Sequence, residues 1–243
     1  MIPIRDDAPR FSTPYVNYFL VALNTLVFLF EIALPAGGRE VLIAQMGFIP
    51  ARMLGLLHGA SYVRIYSGAL LPVNSAAVAT VFTSMFLHAS WLHLIGNMWF
   101  LWIFGDNVED HLGHFKYLTF YLIAGVAATT LQTAFDPASV VPSVGASGAI
   151  AGVMGAYFVL FPSARVLTLV PFLFVFFLWL PAWIMLGYWF VIEFLSGAAT
   201  SIAYSHQTGG GIAFWAHVGG FVAGIALIKM FPSRRRRFRY DAW

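Results

Sequence analysis

A series of long apolar runs, nearly free of charged residues, is the feature that most constrains this chain. A run of about 17–25 apolar residues is long enough to cross a bilayer as a helix. Hydrophobic residues make up 60% of the 243 residues and charged residues only 9%, which lies outside the range of soluble domains. We therefore expect an integral membrane protein. The runs cover residues 15–34, 91–105, 115–135, 147–161, 169–199 and 214–231.

These runs predict an all-α fold: a polytopic membrane bundle of six transmembrane helices with a long, partly membrane-embedded first loop. The loop, residues 35–76, mixes glycines and a proline with short apolar clusters, which is typical of structure lying half in the headgroup layer. Residues 76–87 are also apolar but too few for a span, so they lie at the interface or lead into the second span. Counting them as a seventh span would place the termini on opposite sides.

The distribution of Lys and Arg predicts the orientation, because these residues stay in the cytoplasm when they flank spans. With six spans, one side keeps only three cations, all in the long first loop, where positive charge hinders translocation least. We expect both termini in the cytoplasm. No transit-like leader precedes the first span, which favours the plasma or inner membrane of a bacterium, with an organelle membrane as the eukaryotic alternative. The loop cations are Arg39, Arg52 and Arg64.

Three segments are predicted along the chain: a cytoplasmic N-terminal segment (1–14), the six-helix membrane domain (15–231) and a basic cytoplasmic tail (232–243). The arginines of the tail anchor the topology or bind anionic lipid headgroups. The chain has no cysteine, which excludes disulfide, thiol and Cys-metal chemistry. His111 and His114 have no partner at metal-ligand spacing. We expect no metal, no cofactor and no nucleic-acid partner.

The short fourth run indicates a pocket. Residues 147–161 form about 22 Å of helix at ~1.5 Å per residue, against a hydrocarbon core of ~30 Å. Residues 162–165 anchor the inner end, so Ser147 begins its helix below the outer surface. The irregular backbone before Ser147 is tolerated at that depth only beside protein or water. His217 opens a similarly short run in the same direction, and a wet pocket containing both residues is predicted.

Two stretches of small residues explain how these helices could meet. Gly148-x-x-x-Gly152 and Gly220-x-x-x-Gly224 have the spacing that lets membrane helices pack backbone against backbone. Imidazole titrates near neutrality and can take the proton of a serine hydroxyl. Ser147 is therefore the predicted nucleophile and His217 the predicted general base.

No third, orienting carboxylate is evident near this pair. Asp136 precedes Ser147 in the outer loop, and Glu193 lies in the fifth span, where snorkelling or one hydrogen bond accounts for it. We therefore expect a dyad. His93 and Asn97, one helical turn apart on the second span, are the candidate oxyanion donors together with the Ser147 N–H. The structural alternative is that the two side chains only tie helices together.

Four elements together resemble the rhomboid intramembrane serine proteases. They are Phe86-Leu87-His88…His93-x-x-x-Asn97, Gly105-x-x-Val108-Glu109-x-x-Leu112-Gly113, Gly145-x-Ser147-Gly148 and Ala216-His217-x-x-Gly220-x-x-x-Gly224.

The resemblance implies a serine endopeptidase with a Ser147–His217 dyad and an oxyanion and substrate-binding site at His93, Asn97 and Gly145. It implies a gate formed by the fifth span and the loop that follows it, residues 201–214. The implied substrates are transmembrane segments of single-span membrane proteins, cut near the outer face at small residues where the helix unwinds.

Two parts of the chain depart from the resemblance. Ala79 and Thr80 stand where many relatives carry Trp-Arg, which bears on how the first loop is anchored. Ala151 stands where many carry a tyrosine that stacks on the histidine, and Phe214 or Trp215 is the expected substitute.

Two other functions stay open at this point. One is a non-catalytic binder that holds client helices, although such relatives usually lack the serine or the histidine. The other is a haem- or ion-carrying bundle using His93 and His217, which would need histidine pairs repeated across the helices. His88 is expected to make a structural hydrogen bond in the first loop, or to assist the oxyanion site.

Overall fold

The computed structural model describes residues 1–171, 175–203 and 213–231, in which the chain is mostly helical. The basic tail and loop residues 204–212 lie outside the described residues. The helices are α1 (Tyr15–Ala33), α2 (Gly38–Met46), α3 (Pro50–Leu57), α4 (Ala76–Thr83), α5 (Trp91–Leu112), α6 (His114–Phe135), α7 (Ser147–Leu160), α8 (Ala182–Ala203) and α9 (Phe214–Leu227). The strands are β1 (Ile2–Asp6), β2 (Tyr62–Arg64), β3 (Leu70–Pro72), β4 (Arg165–Pro171) and β5 (Val175–Pro181).

Helix length and composition support a membrane fold. In the described part, α1, α6 and Ala182–Ala199 of α8 are each long and apolar enough to cross a membrane. Ala76–Phe86 and α5 pass the same test as a pair that is bent by 79° at the break between them. The apolar helices α7 and α9 are shorter, at 14 residues each. The protein is thus a helical membrane protein, and the count of six spans stays a prediction.

A small antiparallel sheet corrects the all-α expectation. Its strand order is β1-β4-β5, so the N-terminal segment pairs with the hairpin that follows α7. The span predicted over residues 169–199 is wrong in its first half, because that half forms most of the hairpin and α8 begins only at Ala182. Pro171 and Pro181 cannot continue a regular helix, and the aromatic residues of β5 favour extended backbone.

The long first loop is structured, as expected, and leads into the bend before α5. It contains α2, α3 and the β2–β3 hairpin, and α4 follows it. α5 then begins after Ser90, whose Oγ accepts the His93 N–H at 3.2 Å and caps the helix. This cap fixes the first turn of α5, on which His93 lies.

A buried carboxylate ties α5 to the start of α1. Glu109 accepts the N–H groups of Val16 at 2.9 Å and Asn17 at 2.7 Å. These first-turn N–H groups have no partner inside their helix, and the carboxylate also meets the positive end of the helix dipole. Gly113, with φ of 81°, then turns the chain directly into α6.

Helix α7 lies at the centre of the bundle. Ten consecutive residues of it, Gly148 to Tyr157, are buried. A Cβ added to Gly148 would come 2.7 Å from Ala128 Cβ on α6, so the two helices touch almost backbone to backbone. α9 packs along another face of α7, where added Cβ atoms on Gly220 and Gly224 would overlap the carbonyl oxygens of Gly148 and Gly152. The predicted close packing through small residues is confirmed.

Candidate active site

Ser147 and His217 meet at the starts of two neighbouring helices. Ser147 is the first residue of α7, and His217 lies in the first turn of α9. Gln132 Oε1 on α6 accepts the Ala216 N–H at 3.2 Å and so fixes the start of α9. The distance from Ser147 Oγ to His217 Nε2 is 2.8 Å. This is the distance at which imidazole can take a hydroxyl proton.

A cavity of about 610 Å³ opens at this pair. Its walls come from α5, α6, α9 and the irregular backbone that precedes Ser147. A pocket at the start of the short α7 was predicted, and it is present. The sequence-predicted residues His93, Asn97, Gly145, Ser147 and His217 all line it.

Gly145 lets the chain pass against α5. Its φ of 128° is unfavourable for any residue with a side chain. A Cβ at this position would come 2.7 Å from His93 Cε1 and 2.8 Å from His93 Nε2. Its N–H donates to the Ser84 carbonyl at 2.8 Å. The backbone just before Ser147 is thus held directly beside the His93 ring.

The amide of Asn97 and the ring of His93 converge on the same place. Asn97 is 8% exposed, and its Nδ2 has no hydrogen-bond partner among the described residues. The Ala89 N–H donates to His93 Nδ1 at 3.4 Å, which leaves the ring proton on Nε2. Two side-chain donors therefore face the cavity beside Gly145, together with the N–H groups of the first turn of α7.

Glu193 on α8 is a member of this site that the sequence analysis missed. Its Oε2 lies 2.7 Å from His217 Nδ1, so the expectation that no carboxylate joins the pair is wrong. One signal was available: an ionisable residue inside an apolar span is costly and is a functional candidate by default. Its contact with His217 depends on how α8 packs against α9, which the sequence alone does not give.

The aromatic neighbour of His217 is also on α8. The Trp189 ring centroid lies 5.9 Å from that of His217, with the planes tilted by 38°. Trp215, one of the two expected substitutes for the missing tyrosine, instead stacks on Phe135 at 3.8 Å. Ala151 stands at the tyrosine position and is small enough to let α9 approach. A Cβ added to Gly220 would lie 3.2 Å from the Cβ of Ala151.

His88 lies behind His93 and does not make the ring hydrogen bond that was expected. It is fully buried, its ring centroid is 5.2 Å from that of His93, and neither ring nitrogen has a partner among the described residues. Its backbone is bonded instead. Glu31 Oε1 accepts its N–H at 3.1 Å, and the Arg39 guanidinium donates to its carbonyl at 2.8 Å.

Residues 75–234 match the family model described as the Rhomboid domain. The chain belongs to the rhomboid family. This rhomboid is 32% identical over 166 residues to Rhomboid protein 1, mitochondrial, of Saccharomyces cerevisiae, a match that covers 65% of this chain and 44% of that protein. It is 28% identical over 163 residues to Presenilin-associated rhomboid-like protein A, mitochondrial, of Danio rerio, covering 63% of this chain and 38% of that protein.

A shorter match joins this rhomboid to Rhomboid-like protein 11, chloroplastic, of Arabidopsis thaliana. It is 46% identical over 70 residues and covers 29% of this chain and 25% of that protein. All three matches span less than half of the relatives' own length. Because these relatives carry organelle names, the expected plasma-membrane location stays a prediction.

Proposed function

We propose that this rhomboid is an intramembrane serine endopeptidase that cleaves transmembrane segments of single-span membrane proteins, with Ser147 as nucleophile and His217 as general base. The observation that carries this proposal is the 2.8 Å contact between Ser147 Oγ and His217 Nε2. The contact lies at the wall of the cavity of about 610 Å³. A partly buried serine and histidine paired in a membrane bundle are costly unless they have a function.

The chemistry follows the order of the atoms in the site. His217 Nε2 takes the Ser147 hydroxyl proton while Oγ bonds to the substrate carbonyl carbon, and the carbonyl electron pair moves to oxygen. The C–N bond then breaks as Nε2 returns the proton to the leaving amine. Water repeats the cycle on the acyl-enzyme, and His217 again serves first as base and then as acid.

The proposed donors for the oxyanion lie on α5 and at the start of α7. We assign this role to the Asn97 amide, to His93 Nε2–H and to the N–H of Ser147. The unpartnered Asn97 Nδ2 supports the assignment, because a buried donor without a partner is expensive to keep. Gly145 serves by leaving room between its backbone and His93. Such fixed donors contribute most where charge develops in the transition state.

The proposed membrane setting has six spans, formed by α1 and by α5 to α9 within residues 15–231, with both termini in the cytoplasm. The pairing of β1 with β4 supports one part of this arrangement, because it holds residues 1–14 at the same end of the molecule as the segment after α7. Ser147 begins the opposite end of α7. A helix of 14 residues covers about 21 Å at ~1.5 Å per residue, so the serine lies inside a ~30 Å hydrocarbon layer.

We propose cleavage near the outer face, at small residues where the substrate helix unwinds. A peptide bond within an intact helix offers no accessible carbonyl to Oγ, so the substrate must unwind where it enters the cavity. Glycine, a small residue of low helix propensity, makes that unwinding easier, whereas alanine does not. The proposed partners are therefore single-span membrane proteins and the lipid bilayer.

Cleavage in liposomes tests the proposal. The native chain, Ser147→Ala and His217→Ala are each reconstituted with a generic single-span substrate. We expect cleavage by the native chain alone. Stable binding of the substrate helix without cleavage by the native chain would contradict the proposal and favour a binder of membrane helices.

A further inference from the structure

A carboxylate on α8 extends the hydrogen-bonded chain that begins at Ser147. Ser147 Oγ contacts His217 Nε2 at 2.8 Å, and His217 Nδ1 contacts Glu193 Oε2 at 2.7 Å. We propose that Glu193 is a positioning residue that holds His217 in the orientation and tautomer of a general base, so that the site works as a triad. This inference rests on the proposed protease function.

The direction of the two hydrogen bonds determines where the imidazole proton lies. An ionised carboxylate only accepts, so its contact with Nδ1 requires the proton on that nitrogen. Nε2 then presents its lone pair to the serine hydroxyl. In the other tautomer Nε2 would carry the proton and could not accept one from Ser147. Glu193 therefore selects the tautomer that the reaction needs.

Burial strengthens the hydrogen bond between His217 and Glu193. The side chains of His217 and Glu193 are only 12% and 15% exposed. Water competes weakly there, and a charge–dipole contact gains from the low local dielectric. When His217 takes the serine proton, its imidazolium faces the Glu193 carboxylate. The proton on Nδ1 stays on that nitrogen throughout, and only the Nε2 proton moves to the leaving amine.

One face of α8 is built to bring Glu193 to this place. Trp189, Glu193 and Gly197 follow at four-residue spacing and so lie on the same face of the helix. A Cβ on Gly197 would come 3.2 Å from Phe214 Cβ and 3.3 Å from Trp215, so α8 lies close to the start of α9. Trp189 flanks His217 from the preceding turn. The imidazole is thus held by a ring and a carboxylate from the same helix.

Kinetics in liposomes test the proposal with the full chain. We compare the native protein with Glu193→Gln, Glu193→Asp and the matched control Glu40→Gln, which changes an exposed carboxylate on α2. Glu193→Gln is expected to lower kcat by about 10²-fold or more with KM unchanged, since loss of a triad carboxylate acts on the chemical step. Glu193→Asp should recover part of the rate, and Glu40→Gln should keep the native rate.

A second measurement reads the tautomer without turnover. The ¹⁵N NMR spectrum of histidine-labelled protein in micelles should show a bare Nε2 on His217 in the native chain. Glu193→Leu, which removes the acceptor, should populate the tautomer with the proton on Nε2. A thermal melt of each variant separates these effects from loss of fold.

Two results would overturn the role of Glu193. One is a Glu193→Gln rate within threefold of native while Ser147→Ala is inactive, and the other is an unchanged His217 tautomer in Glu193→Leu. Either leaves the proposed protease function standing. Failure of the native chain to cleave is the separate result that removes the protease function, and the NMR comparison then decides on the His217–Glu193 contact alone.

Discussion

The carbonyl oxygen of Gly148 occupies the space that a Cβ on Gly220 would need. The contact joins α7 to α9 directly after Ser147 and about one turn after His217, so the separation of the two helix backbones determines the distance between nucleophile and base. Glycine at position 220 is required here for space, not for its backbone angles. The chemistry of the site therefore depends on how the helix backbones beside it pack.

Gly220→Ala is predicted to separate α7 from α9 and to reduce cleavage strongly. A shift of about 1 Å between reacting groups can cost on the order of 10²-fold in rate. The measurement is kcat in liposomes together with the apparent Tm, and both should fall. Gly187→Ala on α8 is the matched control, because its Cβ would lie 3.9 Å from the nearest atom, Phe158 Cε2, and should leave both values at or above native. Equal behaviour of the two variants would count against the packing argument.

Asn97→Ala should lower kcat by about 10²–10³-fold, the usual effect of removing one oxyanion donor, with little change in apparent Tm. The amide Nδ2 makes no hydrogen bond to the described residues, so the folded protein loses no bond when it is removed. Asn107→Ala on the same helix is the opposite case. Its amide donates to the carbonyls of Ala8 at 3.2 Å and Pro9 at 3.3 Å, so the variant should lose stability and keep kcat. A loss of stability without loss of kcat in Asn97→Ala would remove the oxyanion role.

Arg52 anchors the first loop. Ala79 and Thr80 replace the Trp-Arg pair of many relatives, so the loop needs another anchor. It is buried, and it donates from Nε to the Pro72 carbonyl at 3.0 Å and from Nη1 to the Gln45 carbonyl at 3.1 Å. It thereby joins α3 to β3 and to the end of α2.

Arg52→Met keeps the apolar stem but removes two charged donors, each contributing about 1.5–3 kcal/mol. We expect a clearly lower apparent Tm and faster proteolysis within residues 35–76. Arg64→Met, which changes an exposed cation of the same loop, is the control and should differ little from native. Similar proteolysis of the two variants would show that Arg52 does not anchor the loop.

The start of α7 and its approach to α9 could be predicted because both depend on local signals. Glycines at four-residue spacing next to Ser147 and His217 indicate close packing wherever the helices lie. The β4–β5 hairpin could not be recognised, because an apolar strand exposed on both faces has the composition of a span and no periodicity to separate them. Glu193 was missed because its contact with His217 depends on how α8 packs against α9, a long-range relationship that the periodicity of the sequence does not give.

The cytoplasmic end of the bundle, as proposed, contains a carboxylate whose charge opposes folding. Asp6, at the end of β1, accepts a hydrogen bond from the Tyr157 hydroxyl on α7. Burial raises the pKa of the Asp6 carboxyl above its ordinary value of 3.8, and the nearby charge of Asp7 adds to the effect. Asp106 on α5 is a further carboxylate close to it.

Asp6→Asn is therefore predicted to stabilise the protein at neutral pH. Because the pKa of Asp6 is raised in the folded state, the folded protein holds this proton more tightly than the unfolded chain does. The free energy of unfolding therefore falls as the pH rises from the ordinary pKa of 3.8 through the raised folded-state pKa, and it stays lower at higher pH. Asparagine keeps an acceptor for Tyr157 but carries no charge. The apparent Tm of Asp6→Asn should exceed that of the native chain at pH 7 and converge with it near pH 4. The control is Asp7→Asn, which removes the charged partner of Arg165 at 3.1 Å and should lower the Tm slightly. If the Tm gain of Asp6→Asn persisted unchanged to pH 4, the charge-burial argument would be contradicted.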